Sequence, residues 1–234
     1  MAGTPLDLQL LNLCAALLLL LSFAMLAQRR IVSLVNLLAV QGALLFAATL
    51  LLAWRTGQPH LYVSAALTLA LKVIFLPWLL HRLIRRLEVY WDTEPLLNIS
   101  GTMLVGVLVV VFAFGLAQPI SQLASTATRS SIGIAVAVVL LSFITMISRR
   151  KAMSQVVGFL SMENGLFFGA MSATYGMPMI VELGVALDVL VAMLVLGVFF
   201  FQIREQFDSL DLHHLEALKE THTVDSPRSL PGGG

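Results

Sequence analysis

The chain has one cysteine, Cys14, few charged residues at 12%, and only three tyrosines and three tryptophans. A single thiol excludes an internal disulfide framework, and it excludes a Cys-ligated zinc or iron–sulfur centre built by this chain alone. The scarcity of charge, set against 59% hydrophobic residues and a mean hydropathy of +0.92, excludes a soluble domain of 234 residues. No glycine-rich phosphate loop, no nucleophile with its base and no basic nucleic-acid patch is present. The composition therefore describes a polytopic membrane protein without a catalytic centre of its own.

Long apolar runs are what the chain does have. At about 20 residues per crossing, they predict about seven membrane helices: Leu8 to Ala27, Ile31 to Trp54, Leu61 to Leu80, Leu97 to Ala117, Ile132 to Ser148, Ala152 to Tyr175, and Met179 to Ile203. The first run is followed by Gln28-Arg29-Arg30 and preceded by no basic residue. That order is the reverse of a secretory signal, so the run is read as a permanent helix. Gly57-Gln58-Pro59, Gln118-Pro119 and Tyr175-Gly176-Met177-Pro178 break the helical pattern, and these connections share one side with just Arg55 and Arg129. The alternate connections carry Arg29 and Arg30, then Arg82, Arg85 and Arg86, then Arg149, Arg150 and Lys151, with Arg204 after the last span. The excess of positive charge predicts that these face the cytoplasm, with the N-terminus outside and the C-terminus inside.

The expected organisation is a first three-helix unit over 1–96, a connecting helix and loop over 97–128, a second three-helix unit over 129–203 and a cytoplasmic tail over 204–234. In that tail Leu210, Leu212, Leu215 and Leu218 suit either a short helix docking on a partner or a solvated helical end. Ser226 to Gly234 is read as unstructured. The two units align: Arg29-Arg30 precedes Val40-Gln41-Gly42-Ala43 as Arg149-Arg150 precedes Met162-Glu163-Asn164-Gly165, and Ala70-Leu71-Lys72 matches Ala186-Leu187-Asp188. A parallel duplication of a three-helix unit would produce this pattern, as would chance matching of low-complexity apolar sequence. On this alignment Gln41 falls opposite Glu163, and Lys72 is expected to pair with Asp188.

Four ionisable residues, Lys72, Glu163, Glu182 and Asp188, lie inside the apolar runs. Each costs roughly 2.5 to 3.5 kcal/mol at mid-membrane, a cost that a bundle of Leu, Val, Ala and Gly avoids. Glu163 and Lys72 are central in their spans, Asp188 is slightly outward of centre, and Glu182 is nearer the outer surface. Glu182 and Asp188 are separated by about 9 Å along a helix axis and about 120° around it, so they face different surroundings. A carboxylate kept from water can take a proton from one side and release it to the other; it can also simply bond neighbouring helices together. Lys72 serves either as a switch that changes its neighbour's proton affinity or as a static ion-pair partner. Pro77 removes a backbone donor in mid-helix and marks a hinge or kink. His60, His81, His213 and His214 have no metal-ligand spacing, and no metal or cofactor is expected.

At this point the chain resembles the family of hydrogenase-4 component E. The resemblance rests on Ala70-Leu71-Lys72 with Pro77, on Gly158-Phe159-Leu160-Ser161-Met162-Glu163-Asn164-Gly165, on Val181-Glu182-Leu183-Gly184-Val185-Ala186-Leu187-Asp188, and on Ser209-Leu210-Asp211 with Leu215-Glu216-Ala217-Leu218-Lys219. It covers most of the chain. It implies that the last three helices are similar to the small three-helix subunit of complex I and of cation/proton antiporters, with Glu163 matching the middle-helix glutamate of the proton pathway. A second glutamate maps to Glu182 or Asp188. It also implies a multi-pass subunit of the cytoplasmic membrane in a hydrogenase-4 or formate hydrogenlyase type complex. The implied partners are antiporter-like and other membrane subunits, and a peripheral nickel-iron hydrogenase arm with iron-sulfur proteins. A non-conducting scaffold, a subunit of a multisubunit cation/proton antiporter and an independent transporter are the competing readings.

Overall fold

In the computed structural model the described residues are 6–87, 99–123 and 126–174, together with Gly184, Leu190, Met193 and Gly197. The chain divides into two compact units, Met1–Ala192 and Met193–Gly234. The first contains the helices α1 (Leu6–Ala27), α2 (Ile31–Thr56), α3 (Pro59–Thr68), a π-helical segment (Leu69–Phe75), α4 (Leu76–Leu87), α5 (Ile99–Leu123), α6 (Thr126–Ile147) and α7 (Ala152–Thr174). Among the described residues the fold is all-helical.

Five helical stretches are long and apolar enough to cross a membrane: Gln9–Ala27, Ile31–Thr56, Pro59–Arg85, Ile99–Pro119 and Ala152–Thr174. A sixth apolar stretch, Ser131–Ile147, is shorter. The protein is thus a multi-pass membrane protein. The expected seventh span, Met179 to Ile203, and the tail lie outside the described residues apart from those four positions.

The turn between the second and third spans forms as its residues demand. Gly57 closes α2 in the left-handed conformation (φ 65°) and returns its N–H to the Ala53 carbonyl at 2.9 Å. Gln58 is extended, and Pro59 opens α3 where its missing N–H has no helical partner to lose. Pro119, by contrast, does not end a helix: α5 runs through it to Leu123, and α6 begins at Thr126, which puts Arg129 in a first helical turn instead of a loop. A membrane helix tolerates an internal proline where the freed carbonyl finds another partner.

The bundle is organised around α2 and α6, with α6 packed against α1, α5 and α7. Helix α2 packs against α1, α3, the π segment and α7, whereas α7 packs chiefly against α6 and then α2. Cys14, Leu18, Leu45, Leu52, Leu61, Val138, Phe168 and Met171 form a buried apolar core between them. Glycines set the helix separations. A Cβ at Gly158 would stand 3.0 Å from the backbone of Met146, so α6 and α7 touch main chain to main chain there. Helix α5 is peripheral, with Leu104, Val107, Leu108, Val111 and Phe112 all exposed. Such a surface would be a liability in water and is compatible with lipid.

Candidate functional site: a buried lysine–glutamate pair at mid-span

Lys72 stands at the midpoint of Pro59–Arg85, and Glu163 stands at the midpoint of Ala152–Thr174. The fold brings them together. Lys72 Nζ lies 2.6 Å from Glu163 Oε1 and donates a second hydrogen bond to Asn164 Oδ1 at 3.1 Å. The Phe167 ring lies below the ammonium at 5.1 Å to its centroid, a cation–π distance. Both charged side chains are nearly sealed, at 3% and 2% exposure. Burial of this extent is tolerable only because each charge compensates the other.

The backbone around Lys72 explains the approach. Pro77 has no N–H, so an α-helical bond to the carbonyl four residues back cannot form. The preceding Leu69–Phe75 segment is π-helical instead, and the Leu76 N–H reaches the Leu71 carbonyl five residues back. Lys72 sits in the middle of this widened turn. On its other side Gly42 lets α2 approach closely: an added Cβ would meet the Lys72 Cβ and carbonyl oxygen at 3.1 Å each. Lys72 is therefore held between α2, behind it, and α7, in front.

Gln41, next to that glycine, is fully buried and turns toward α1. Its Nε2 donates to Ser22 Oγ at 3.0 Å, and Ser22 in turn donates to the Leu18 carbonyl at 3.0 Å. Gln41 Oε1 finds no hydrogen-bond donor among the described residues. Ser142 and Ser161 share a 2.7 Å hydrogen bond across the α6–α7 seam, two residues along the chain from Glu163. Beyond the pair in the opposite direction, Thr49 Oγ1 bonds the Leu45 carbonyl at 2.8 Å and contacts Met171 Sδ at 3.2 Å. Buried Ser154 and Ser172, near the two ends of α7, lack partners among the described residues. Polar groups thus lie inside the bundle on both sides of the ion pair.

Of the residues singled out by sequence, Lys72, Glu163 and Asn164 meet directly, Pro77 shapes the lysine's backbone, and Gln41 turns to Ser22 on α1. The partner found for Lys72 is Glu163; the expected partner Asp188, like Glu182, lies outside the described residues. Gly184, between those two acids in sequence, is placed against Phe167: an added Cβ would be 2.6 Å from its ring. Sequence reasoning missed Ser22, Ser142, Ser161 and Phe167, because a hydroxyl or an aromatic in an apolar helix carries no positional signal. Arg149 lies in the connection between α6 and α7 where the sequence puts it, but there it is buried at 4% exposure, and its Nη2 donates to the carbonyls of Met25 and Leu26, at 3.3 Å each, and of Gln28. The guanidinium satisfies the free carbonyls at the C-terminal end of α1, where the helix dipole favours a cation. Among the described residues no group of His, Cys, Asp and Glu could hold a metal ion.

No family model matches this sequence, and no solved structure matches it. It is 37% identical over 194 residues to the uncharacterized protein Rv0085 of Mycobacterium tuberculosis, a match covering 82% of this chain and 88% of that protein. It is 27% identical over 175 residues to hydrogenase-4 component E of Escherichia coli K12, covering 75% of this chain and 76% of that one, and matches the Shigella flexneri protein of the same name equally. Hydrogenase-4 component E is accordingly a distant homologue, and the chain belongs to the family of the mycobacterial protein Rv0085.

Proposed function

We propose that this chain is an integral subunit of a hydrogenase-4 or formate hydrogenlyase type complex in the cytoplasmic membrane, and that Lys72 and Glu163 form a relay in its proton pathway. The observation that carries the reading is the sealed ion pair at the midpoints of two spans. Two charges at that depth are costly to keep, and a purely apolar seam would hold the same helices together. Antiporter-like membrane subunits and a peripheral nickel-iron hydrogenase arm with iron-sulfur proteins are the partners this reading names.

The chemistry needs no cofactor in this chain. While Lys72 is held by Glu163, Asn164 and Phe167, the carboxylate is neutralised by the ammonium. A charge arriving nearby draws the lysine away, and Glu163 then takes a proton to remain neutral in the low-dielectric interior. Return of the ammonium expels that proton. Ser22 with Gln41 and Ser142 with Ser161 are stepping points toward one side, and Thr49 and Ser172 toward the other. Asp188 and Glu182 are proposed as the further acids of the route.

The competing reading is a scaffold that seats an antiporter-like subunit, and the clamping of the lysine by three groups is what supports it. Replacing both members by apolar residues, Lys72→Met with Glu163→Leu, separates the two. A buried pair exchanged whole for apolar residues leaves stability nearly unchanged, so the complex assembles in either case. Loss of proton pumping supports the relay, whereas full pumping overturns it in favour of the scaffold.

A further inference from the structure

Helix α4 carries a second concentration of chemistry, remote from the ion pair. Trp78, His81, Arg82 and Arg85 line one recess of about 410 Å³. Their spacing of three, four and seven residues puts them on a single helical face, while Leu79, Leu80, Leu83 and Ile84 are buried on the other. The Arg82 guanidinium lies over the Trp78 ring at 5.3 Å, and His81 Nδ1 donates to the Pro77 carbonyl at 2.8 Å. Arg82 and Arg85 are exposed.

Depth identifies the occupant. Lys72 marks the centre of this span, so Arg82, ten residues on, lies about 15 Å from the centre along the axis. That is half the thickness of a hydrocarbon core of about 30 Å. Arg82 therefore stands at the edge of the hydrocarbon and Arg85, about 20 Å from the centre, among the headgroups, so both guanidinium groups reach lipid phosphates, with Trp78 just below them where an indole suits the interface. The same face continues toward the membrane centre through Ile74, which is 62% exposed. A recess with cationic donors at its top and an indole at its base, continued down the helix face by exposed Ile74, is complementary to a headgroup with its acyl chain. A soluble anion would use only the upper part. An acidic protein segment would leave the apolar lower part uncovered.

We propose that Trp78, His81, Arg82 and Arg85 form a binding site for an anionic phospholipid, with the arginines on the phosphate and Trp78 and Ile74 against the acyl chain. The site is independent of any proton relay. The test is carried out on the full chain reconstituted in bilayers of equimolar phosphatidylcholine and phosphatidylglycerol, then extracted and examined by native mass spectrometry for retained lipid. The wild-type chain retains phosphatidylglycerol in preference to phosphatidylcholine. Arg82→Gln with Arg85→Gln lowers that retention by about fivefold for each arginine removed, and Arg82→Lys with Arg85→Lys keeps most of it. Excess inorganic phosphate does not displace the lipid.

Three outcomes overturn the proposal. Equal retention of the two lipids by the wild-type chain removes the site, and so does unchanged retention in the glutamine variant. Full displacement by inorganic phosphate makes it a site for a soluble anion. Should the glutamine variant fail to fold, the wild-type preference and the phosphate competition still decide. If the wild-type chain shows no lipid preference and the glutamine variant instead releases a partner subunit from the complex, the face is a protein interface.

Discussion

Lys72 and Glu163, 91 residues apart in sequence, meet at 2.6 Å with each at the centre of its own membrane span. A contact of that kind binds two helices and stores two charges in one place, and the two consequences separate experimentally.

Removing one member should damage the fold more than removing both. Glu163→Leu or Lys72→Met alone leaves an uncompensated buried charge, at a cost of about 3 to 5 kcal/mol. The double variant should recover most of that loss. Thermal unfolding of the four proteins in detergent closes the cycle, and additive single effects would deny the coupling.

Glu163→Gln keeps the shape and an acceptor for Lys72 but neither offsets the ammonium nor takes a proton. If the proposed relay operates, intact complex that assembles with this variant should lose proton translocation by at least an order of magnitude, read as a pH jump on oxidation of substrate; assembly itself is checked first, because the variant leaves Lys72 without its counter-charge.

Gly42→Ala places a methyl group 3.1 Å from the Lys72 Cβ and carbonyl oxygen. Either α2 or the π segment must shift, at a cost of about 1 to 3 kcal/mol, and the lysine moves with it. Spectroscopic probes or cross-links between positions 72 and 163 would register the change. An unaltered cross-linking yield and melting temperature would show that the helices are further apart than described.

Ser142 and Ser161 bond each other in a buried seam. Either Ser→Ala change strands one hydroxyl and should cost about 1 to 3 kcal/mol, while the double Ala variant should be nearly neutral. If the hydroxyls also carry protons, the double variant is slowed in translocation despite its normal stability.

Arg149→Ala should destabilise the chain by about 1 to 3 kcal/mol, since the last carbonyls of α1 lose their donor inside the protein. Arg149→Lys should recover part of this. A solvated arginine would show no effect in a melting experiment.

The legible part of the fold was the part that depends on local composition. Spans such as Ile31–Thr56 and Ala152–Thr174 follow from runs of apolar residues, and the turn at Gly57-Gln58-Pro59 follows from the conformations those residues favour. Glu163, Lys72 and Asn164 stood out because charged and amide groups in lipid are expensive. Pro119 misled, because α5 continues through it to Leu123, and the rule that proline ends a helix is weaker in membrane helices. The π turn around Lys72 left no mark in the periodicity; Pro77 pointed to an irregularity without giving its form.

Sequence alone thus determined that this protein lies in a membrane and which side chains in it are out of place there, since both follow from the transfer energy of each residue between water and lipid. Which of those side chains touch was decided by tertiary structure. Pairing depends on the rotation and separation of helices, and these are set by small groups such as Gly42 and by one widened turn, neither of which carries enough transfer energy to be read from composition. The packing of α2, α7 and the π segment placed Glu163 against the ammonium; Asp188, to which the alignment of the two halves pointed, lies outside the described residues.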